Sequence, residues 1–347
     1  MKFGMLVNTQ NPPAGENMPR LYDEVLAEAE LADAVGFDLV CVPEHHMVPD
    51  GYLPAPLLFL AAIAARTKNV RLGTSVMHLP EWHPIRVAEE VAVLDNLSKG
   101  RVSLGVGLNL VEPELHLAGI TRHGIAKRFN ECVEILRKAW SGEKFSFDGE
   151  FYQLNDVTIT PRPVQDPPPI WTGAMSEVAL KRAGRLGTGW ISDPLHSIAV
   201  MESWAKLYRD SAAEHGNAGR TEVVVIRDGW VSHDPSEVRE IWWPTIRNYH
   251  LFYKNLGVFN SDSGRFNTAL DPALATRSDD EWTFDRIAPD RLVAGSPEQV
   301  IAEIERYREA TGCETMAFAF RHATGPTHEA TMRCIELFGK EVIPHFR

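Results

Sequence analysis

VRLGTSVMHLPEWHPIRVAEEVAVLDNLSKGRVSLGVG, residues 70 to 107, carries the pattern on which the fold turns. Val70 to Met77 is short and largely apolar, so it reads as a strand. Ile85 to Leu97 repeats apolar residues at helical spacing. Lys99-Gly100 closes that helix, because glycine accepts the left-handed backbone on which helices end. Val102 to Val106 is again a strand. Two strands joined through a helix lie parallel, with a right-handed crossover.

The alternation continues in both directions. Strands are expected at Phe3 to Val7, Phe37 to Val42, Ile170 to Thr172, Gly189 to Ser192, Val223 to Val231 and Thr315 to Phe320. Helical periodicity fills the intervals: Leu21 to Val35, Pro56 to Arg66, Ile125 to Trp140, Ser176 to Leu186, Met201 to His215, Glu237 to Asn255 and Pro297 to Ala310, with Glu329 to Glu341 after the last strand. Eight strand-then-helix units predict an α/β chain forming one (β/α)8 barrel domain over 1–347. An open doubly wound sheet is the alternative. It is disfavoured because LGVGLN (104–109) is followed by Leu110 where a dinucleotide fingerprint needs its third glycine. FDGEFYQL (147–154) reads as an inserted hairpin. Residues 257–290 show no period and many Asn, Asp, Ser and Gly, so they read as a lid-like insertion near the seventh strand. Gly257 and Gly264 would be its hinges, and Phe259, Phe266 and Trp282 its apolar contacts.

A formal net charge of −12 opposes binding to nucleic acid or to an anionic membrane surface, both of which need a basic face. No apolar run is long enough to span a bilayer, and MKFGML at the start has no leader-peptide pattern, so a cytoplasmic location is expected. Cys41, Cys132, Cys313 and Cys334 are far apart and are expected to be free and buried.

Chemistry in such a barrel sits on the loops after the strands' C-terminal ends. Glu44-His45-His46 occupies one of these. The pair of histidines fits a hydrogen-bonded loop and also fits proton transfer. Metal binding is disfavoured, since adjacent strand residues point to opposite faces and the chain has no His-x-His or His-x-x-x-His, so no metal is expected. Gly105 and Gly107 would let a bulky ligand approach the backbone, or let a strand bend. TGAMSEVAL (172–180) runs from a strand into a helix N-terminus, where Gly173 and Ser176 suit an anion-binding loop. TSVMHLPEWHP (74–84) places polar and aromatic groups after the third strand.

The chain resembles bacterial luciferase and the luciferase-like flavin monooxygenases. The resemblance is carried by GFDLVCVPEHH, NVRLGTSVMHLPEWHPIRVAEE, LDNLSKGRVSLGVG, RFNECVEILRKAW, ALKRAGRLG and GSPEQVIAEI. It implies a barrel that binds reduced FMN, or a deazaflavin in one branch, at its C-terminal face. It also implies that His45 is the active-site histidine, with Glu44 and Glu114 near the flavin. Ser75-Val76 would form a cis peptide under the flavin ring, beside Gly107. Arg128 and the loop Gly173, Ala174, Met175 and Ser176 would hold the phosphate. His46, Trp82, Asn109 and Trp190 are expected around the substrate. Leu108 stands where luciferase has a second phosphate-gripping arginine, and Lys127, Arg122 or backbone amides are the candidates to replace it. The implied activity is a two-component, FMN-dependent monooxygenase fed by a separate reductase, using oxygen on a small apolar aldehyde, ketone or similar molecule, and dimeric. The alternatives are deazaflavin-dependent hydride transfer and flavin binding without turnover.

Overall fold

The computed structural model describes residues 1–109, 111–255 and 276–347. Eight parallel strands close into a barrel: β1 (Lys2–Leu6), β2 (Leu39–Val42), β3 (Arg71–Thr74), β4 (Val102–Gly107), β5 (Ile170–Gly173), β6 (Gly189–Ile191), β7 (Val223–Val231) and β8 (Thr315–Ala319). β1 pairs with both β2 and β8, and the remaining neighbours pair in chain order round to β7 with β8, so the ring has no open edge. This excludes the open doubly wound sheet.

Side-chain alternation sorts each strand between two cores. Leu39 and Cys41 point into the barrel with Trp171, Ile191, Val224, Ile226 and Ala317, while Val40, Val42 and Val225 join the outer layer under the helices. Trp171 fills much of the interior. A Cβ on Gly189 would lie 2.4 Å from its Cδ1, and one on Gly73 would meet both Cys41 Sγ at 2.8 Å and Trp171 at 3.2 Å. Glycine is required there because the tryptophan needs the volume. At the N-terminal end of the barrel, Trp171 Nε1 donates to Glu222 at 2.7 Å and Arg71 donates to the same carboxylate at 3.0 Å. That end is filled with paired polar groups, which leaves the C-terminal end for chemistry.

Several elements depart from the sequence expectation. The third strand is broken: β3 stops at Thr74, the Ser75–Val76 peptide is cis, and Met77–His78 resumes pairing with β4. A short helix, Glu112–Leu117, lies where no period was legible. The segment 237–255 opens with a π-helical stretch, Glu237–Trp242, before an α-helix, Trp243–Asn255. The last helix, His328–Leu337, likewise passes into π and 3-10 turns. The hairpin is present as Phe145–Asp148 paired with Gln153–Val157.

The expected lid is corrected in part. Residues 276–290 are built into the barrel wall: Phe284–Arg291 is a helix, Leu292–Gly295 is a strand on the end of β7, and Trp282 is fully buried. Arg247 Nε donates to the Trp282 carbonyl at 3.0 Å, which ties this piece to the helix Trp243–Asn255. Gly257, Phe259, Gly264 and Phe266 lie outside the described residues. The four cysteines are free and buried. Among the described residues no helix is long and apolar enough to cross a membrane.

Candidate active site

The loop after β2 holds Glu44, His45 and His46, and its neighbours fix each differently. Glu44 is 1% exposed and accepts from three donors: Trp82 Nε1 at 2.8 Å, His46 Nε2 at 3.1 Å and the His78 backbone N–H. It is a buried anchor joining the loops after β2 and β3. Its hydrogen bond raises the pKa of His46 above the ordinary imidazole value, against the opposing effect of burial. His45 turns the other way. Its Nδ1 lies 3.2 Å from Glu114 Oε1, and its ring packs on Tyr52 with centroids 4.5 Å apart.

Glu114 comes from the short helix after β4 and gathers the site. Asn109 Nδ2 donates to Glu114 at 2.8 Å and to Glu81 at 2.6 Å, and His78 Nδ1 lies 3.3 Å from Glu114, off the line of a hydrogen bond. Asn109 holds a left-handed backbone (φ 51°) that aims its amide at both acids. Burial acts to raise the pKa of Glu114, but the hydrogen bond from His45 and the close approach of His45 and His78 outweigh it and hold the carboxyl well below the usual range. Glu81 goes the other way. Burial and the nearby Glu44 and Glu114 raise its pKa, while His78 and Asn109 oppose.

His78 and Glu81 were not singled out from sequence, although both lie within the quoted TSVMHLPEWHP. The signal was an acid and a histidine just after a barrel strand. The donor sets Glu44, His46, His78 and His45, His78, Glu114 each gather within 4.8 Å. His45 and His46 do fall in different sets, as their adjacent positions imply. The spacing rule overlooked these groups because their members come from three loops.

The Ser75–Val76 step explains the glycines. A Cβ on Gly107 would lie 2.7 Å from Val76 Cγ2, and one on Gly173 would lie 3.0 Å from Val76 Cγ1. A Cβ on Gly105 would strike the Thr74 carbonyl at 2.0 Å. The immediate tenant of this glycine cradle is the neighbouring strand's backbone and Val76. Val76 belongs to the barrel interior and caps its apolar filling from above.

Arg128 stands in the first turn of Ile125–Trp140. Its Nε donates to the Pro80 carbonyl at 3.0 Å, and its guanidinium lies over the Tyr152 ring at 4.9 Å. Beside it in the ring, the loop Gly173 to Ser176 leads into Glu177–Leu186, where Ser176 caps the helix by accepting from Ala179 N–H at 3.4 Å. Both helix starts lie on the C-terminal face, Arg128 after β4 and Ser176 after β5. Met175 is half-buried and Ala174 buried. The candidate replacements for a second arginine are already engaged: Lys127 pairs with Glu150, and Arg122 Nε lies 3.6 Å from Glu112.

Trp190 is a correction. Ile191 faces the barrel interior, so Trp190 faces outward. It is fully buried against Trp204 and Tyr208, with its Nε1 donating to the Ala174 carbonyl at 3.0 Å. It supports the Gly173–Ser176 loop from behind. His46, Glu81 and Trp82, with Leu117 and Ala118, line a cavity of about 210 Å³.

Comparison with known proteins agrees with this geometry. Residues 1–314 match the family model for luciferase-like monooxygenases. The chain is 28% identical to the oxygenase component of a flavin-dependent trigonelline monooxygenase from Acinetobacter baylyi, covering 100% of this chain and 96% of that one. It is 29% identical to an F420-dependent glucose-6-phosphate dehydrogenase from Nakamurella multipartita, over 93% of this chain and 94% of that one. The crystal structure of the monooxygenase RslO1 from Streptomyces bottropensis superposes over the full length of both chains, with TM-score 0.80 and 28% identity. A closed parallel barrel, a histidine–carboxylate pair on its C-terminal rim and a family match over most of the sequence converge: the chain belongs to the luciferase-like monooxygenases, a family of flavin-dependent oxidoreductases.

Proposed function

We propose that the protein is the oxygenase component of a two-component monooxygenase that takes reduced FMN from a separate reductase and oxidises a small organic molecule with oxygen. The observation that carries this reading is the His45–Glu114 pair at the mouth of a barrel whose apolar filling is capped by Val76. The residues present fit the cofactor. Arg128, held by Pro80 and Tyr152, and the amides opening Glu177–Leu186 supply positive charge and N–H donors for a phosphate. Val76, set between Gly107 and Gly173, offers a flat apolar surface for a ring system. The bound flavin supplies electrons and oxygen activation; the protein supplies position, dryness and proton control.

Proton control falls to His45. With Nδ1–H directed at the Glu114 carboxylate, its tautomer is set and Nε2 is left to hold or accept a proton. Glu114 is the positioning residue, and Asn109 and His78 keep it in place.

A deazaflavin is the second reading, favoured by Leu108 in place of a second phosphate-gripping arginine and by the similarity to F420-dependent dehydrogenases. Anaerobic titration with reduced FMN and, separately, with a reduced deazaflavin decides between them. Saturable binding of FMN, followed by oxygen uptake in the presence of substrate, supports the oxygenase. Tight binding of the deazaflavin alone replaces it with hydride transfer, and binding of neither overturns both.

A further inference from the structure

A second carboxylate on the barrel rim sits between two imidazoles. Val224 and Ile226 of β7 point into the barrel, so Asp228, two residues further, points the same way and one layer nearer the C-terminal end. His250 reaches it from the helix Trp243–Asn255, and His322 reaches it from the loop after β8. Each presents Nε2 at 2.8 Å, one to Oδ2 and the other to Oδ1. In an eight-strand ring β8 is opposite β4, so this group faces the site from the side away from Glu114.

The geometry determines the rings. An ionised carboxylate only accepts hydrogen bonds, so both Nε2 atoms carry the proton, and a neutral imidazole then leaves Nδ1 as an acceptor. Burial alone would push Asp228 up, but His322 and His250 hold its pKa well below the usual carboxylate range, consistent with a charged acceptor. The two rings differ in access. His250 and Asp228 have no exposed side-chain surface, and among the described residues His250 Nδ1 has no hydrogen-bond partner. His322 retains 10% of its side-chain surface, and Tyr249 fixes its plane, with ring centroids 4.1 Å apart. The His322 backbone is pinned as well, by N–H to the Gly325 carbonyl at 2.9 Å. A buried acid with two imidazoles is a costly way to fill a barrel mouth when apolar residues would serve. Of the three, His322 is the one that retains exposed side-chain surface.

We propose that His322, oriented by Asp228, is a substrate-binding residue whose Nδ1 accepts a hydrogen bond from an acidic hydroxyl, so that the enzyme's substrates include phenols or enols. The step it permits balances simply. The substrate O–H bond breaks, the electron pair stays on oxygen, Nδ1–H forms, and the Asp228 carboxylate offsets the imidazolium charge. A phenolate or enolate is an electron-rich carbon nucleophile, one class of partner for an oxygenating flavin site. This rests on the function proposed above for the reaction that follows, but not for the tautomer or the hydrogen bond.

The test uses the full chain labelled with 15N in its histidine rings. His322→Gln, or His322→Asn should the first fail to fold, assigns the His322 signals by their disappearance. Phenol and anisole are the probes, since they differ in the one O–H. The expected result is a neutral His322 with Nε2–H and bare Nδ1 in the free protein. Phenol should then shift the Nδ1 resonance saturably, at least about tenfold more tightly than anisole. A His322 protonated at Nδ1 in the free protein, or equal responses to the two probes, overturns the proposal. Reduced FMN and deazaflavin are titrated into the same sample. Failure of both flavins to bind removes the proposed function but leaves the His322 result standing. Flavin binding with no discrimination between phenol and anisole removes the His322 proposal alone.

Discussion

His45 Nδ1 stands 3.2 Å from Glu114 Oε1, so a histidine delivered by β2 and an acid delivered after β4 form one unit across the barrel rim. Each is 69 residues from the other in sequence, and neither strand end could build the pair alone. His45→Ala should retain the fold and the affinity for flavin. Turnover should fall by roughly a hundred- to ten-thousand-fold, the range for a lost general acid or base. Glu114→Gln should fall less and also change the pH profile, because the tautomer is no longer fixed. Steady-state rates across pH, alongside a flavin titration, check both. Wild-type turnover in folded His45→Ala would remove the assignment.

Arg128 already has its guanidinium positioned by Pro80 and Tyr152, so little order remains to be gained when a phosphate arrives. Arg128→Ala should weaken FMN by ~1.5–3 kcal/mol, the scale of a hydrogen bond to a charged group. Riboflavin, which lacks the phosphate, should bind equally well to both proteins. Because Lys127 and Arg122 are committed to Glu150 and Glu112, Leu108→Arg should tighten FMN. Parallel titrations with the two flavins measure this, and equal losses for FMN and riboflavin would make Arg128 structural.

Gly105 and Gly107 make room for β3, and the two should not tolerate alanine equally. At Gly105 the new Cβ meets a backbone carbonyl at 2.0 Å, which cannot turn aside. At Gly107 it meets Val76 Cγ2 at 2.7 Å, and a side chain can rotate. Gly107→Ala should cost about 1–3 kcal/mol, as overpacked core positions do, and should also weaken flavin because Val76 is displaced. Gly105→Ala should cost more. Urea unfolding of both variants ranks them, and a reversed order would contradict the geometry.

Asp228 has a folded-state pKa depressed by its two histidines. A depressed acid contributes stability that is present above its unfolded value of about 3.9 and is lost as pH falls toward the folded value. Asp228→Asn should therefore be destabilised by about 1.5–3 kcal/mol near neutral pH, the scale of a hydrogen bond to a charged group, because the amide that replaces the carboxylate cannot accept from both imidazole N–H groups. The gap from wild type should narrow in acid below about pH 4. Denaturant midpoints measured over this range provide the check, and a gap that widens in acid would be the wrong sign.

His46 is the opposite case, because its hydrogen bond to Glu44 raises its pKa. Its contribution is fully present below the unfolded imidazole value of about 6.5 and is lost as pH rises through the folded value. His46→Gln should thus lie furthest below wild type at mildly acidic pH and approach it in base. Glu44→Gln should lower the His46 pKa, which NMR titration of the ring reads directly.

The barrel was legible from the chain alone because its signals are local. A strand's apolar run, a helix's period and a terminating glycine act over a few residues, and eight such units leave little choice of architecture. The loops bearing Glu44, His45, Arg128 and Gly173 to Ser176 could be placed on the C-terminal face for the same reason. What joins them was not local. Glu44 reaches Trp82, Asn109 reaches Glu81, and Asp228 gathers His250 and His322 from segments 22 and 94 residues away, and no period or spacing encodes those meetings. The direction of Trp190 was likewise a matter of register, since one residue along a strand exchanges the barrel interior for the helix layer. The segment 276–290 looked like a loose cover because its helix is short and its Trp282 is buried by distant partners. Sequence determined which elements form and at which end of them chemistry sits. Only closure of the ring decided which side chains share a proton, because that depends on contacts through space between residues far apart in the chain.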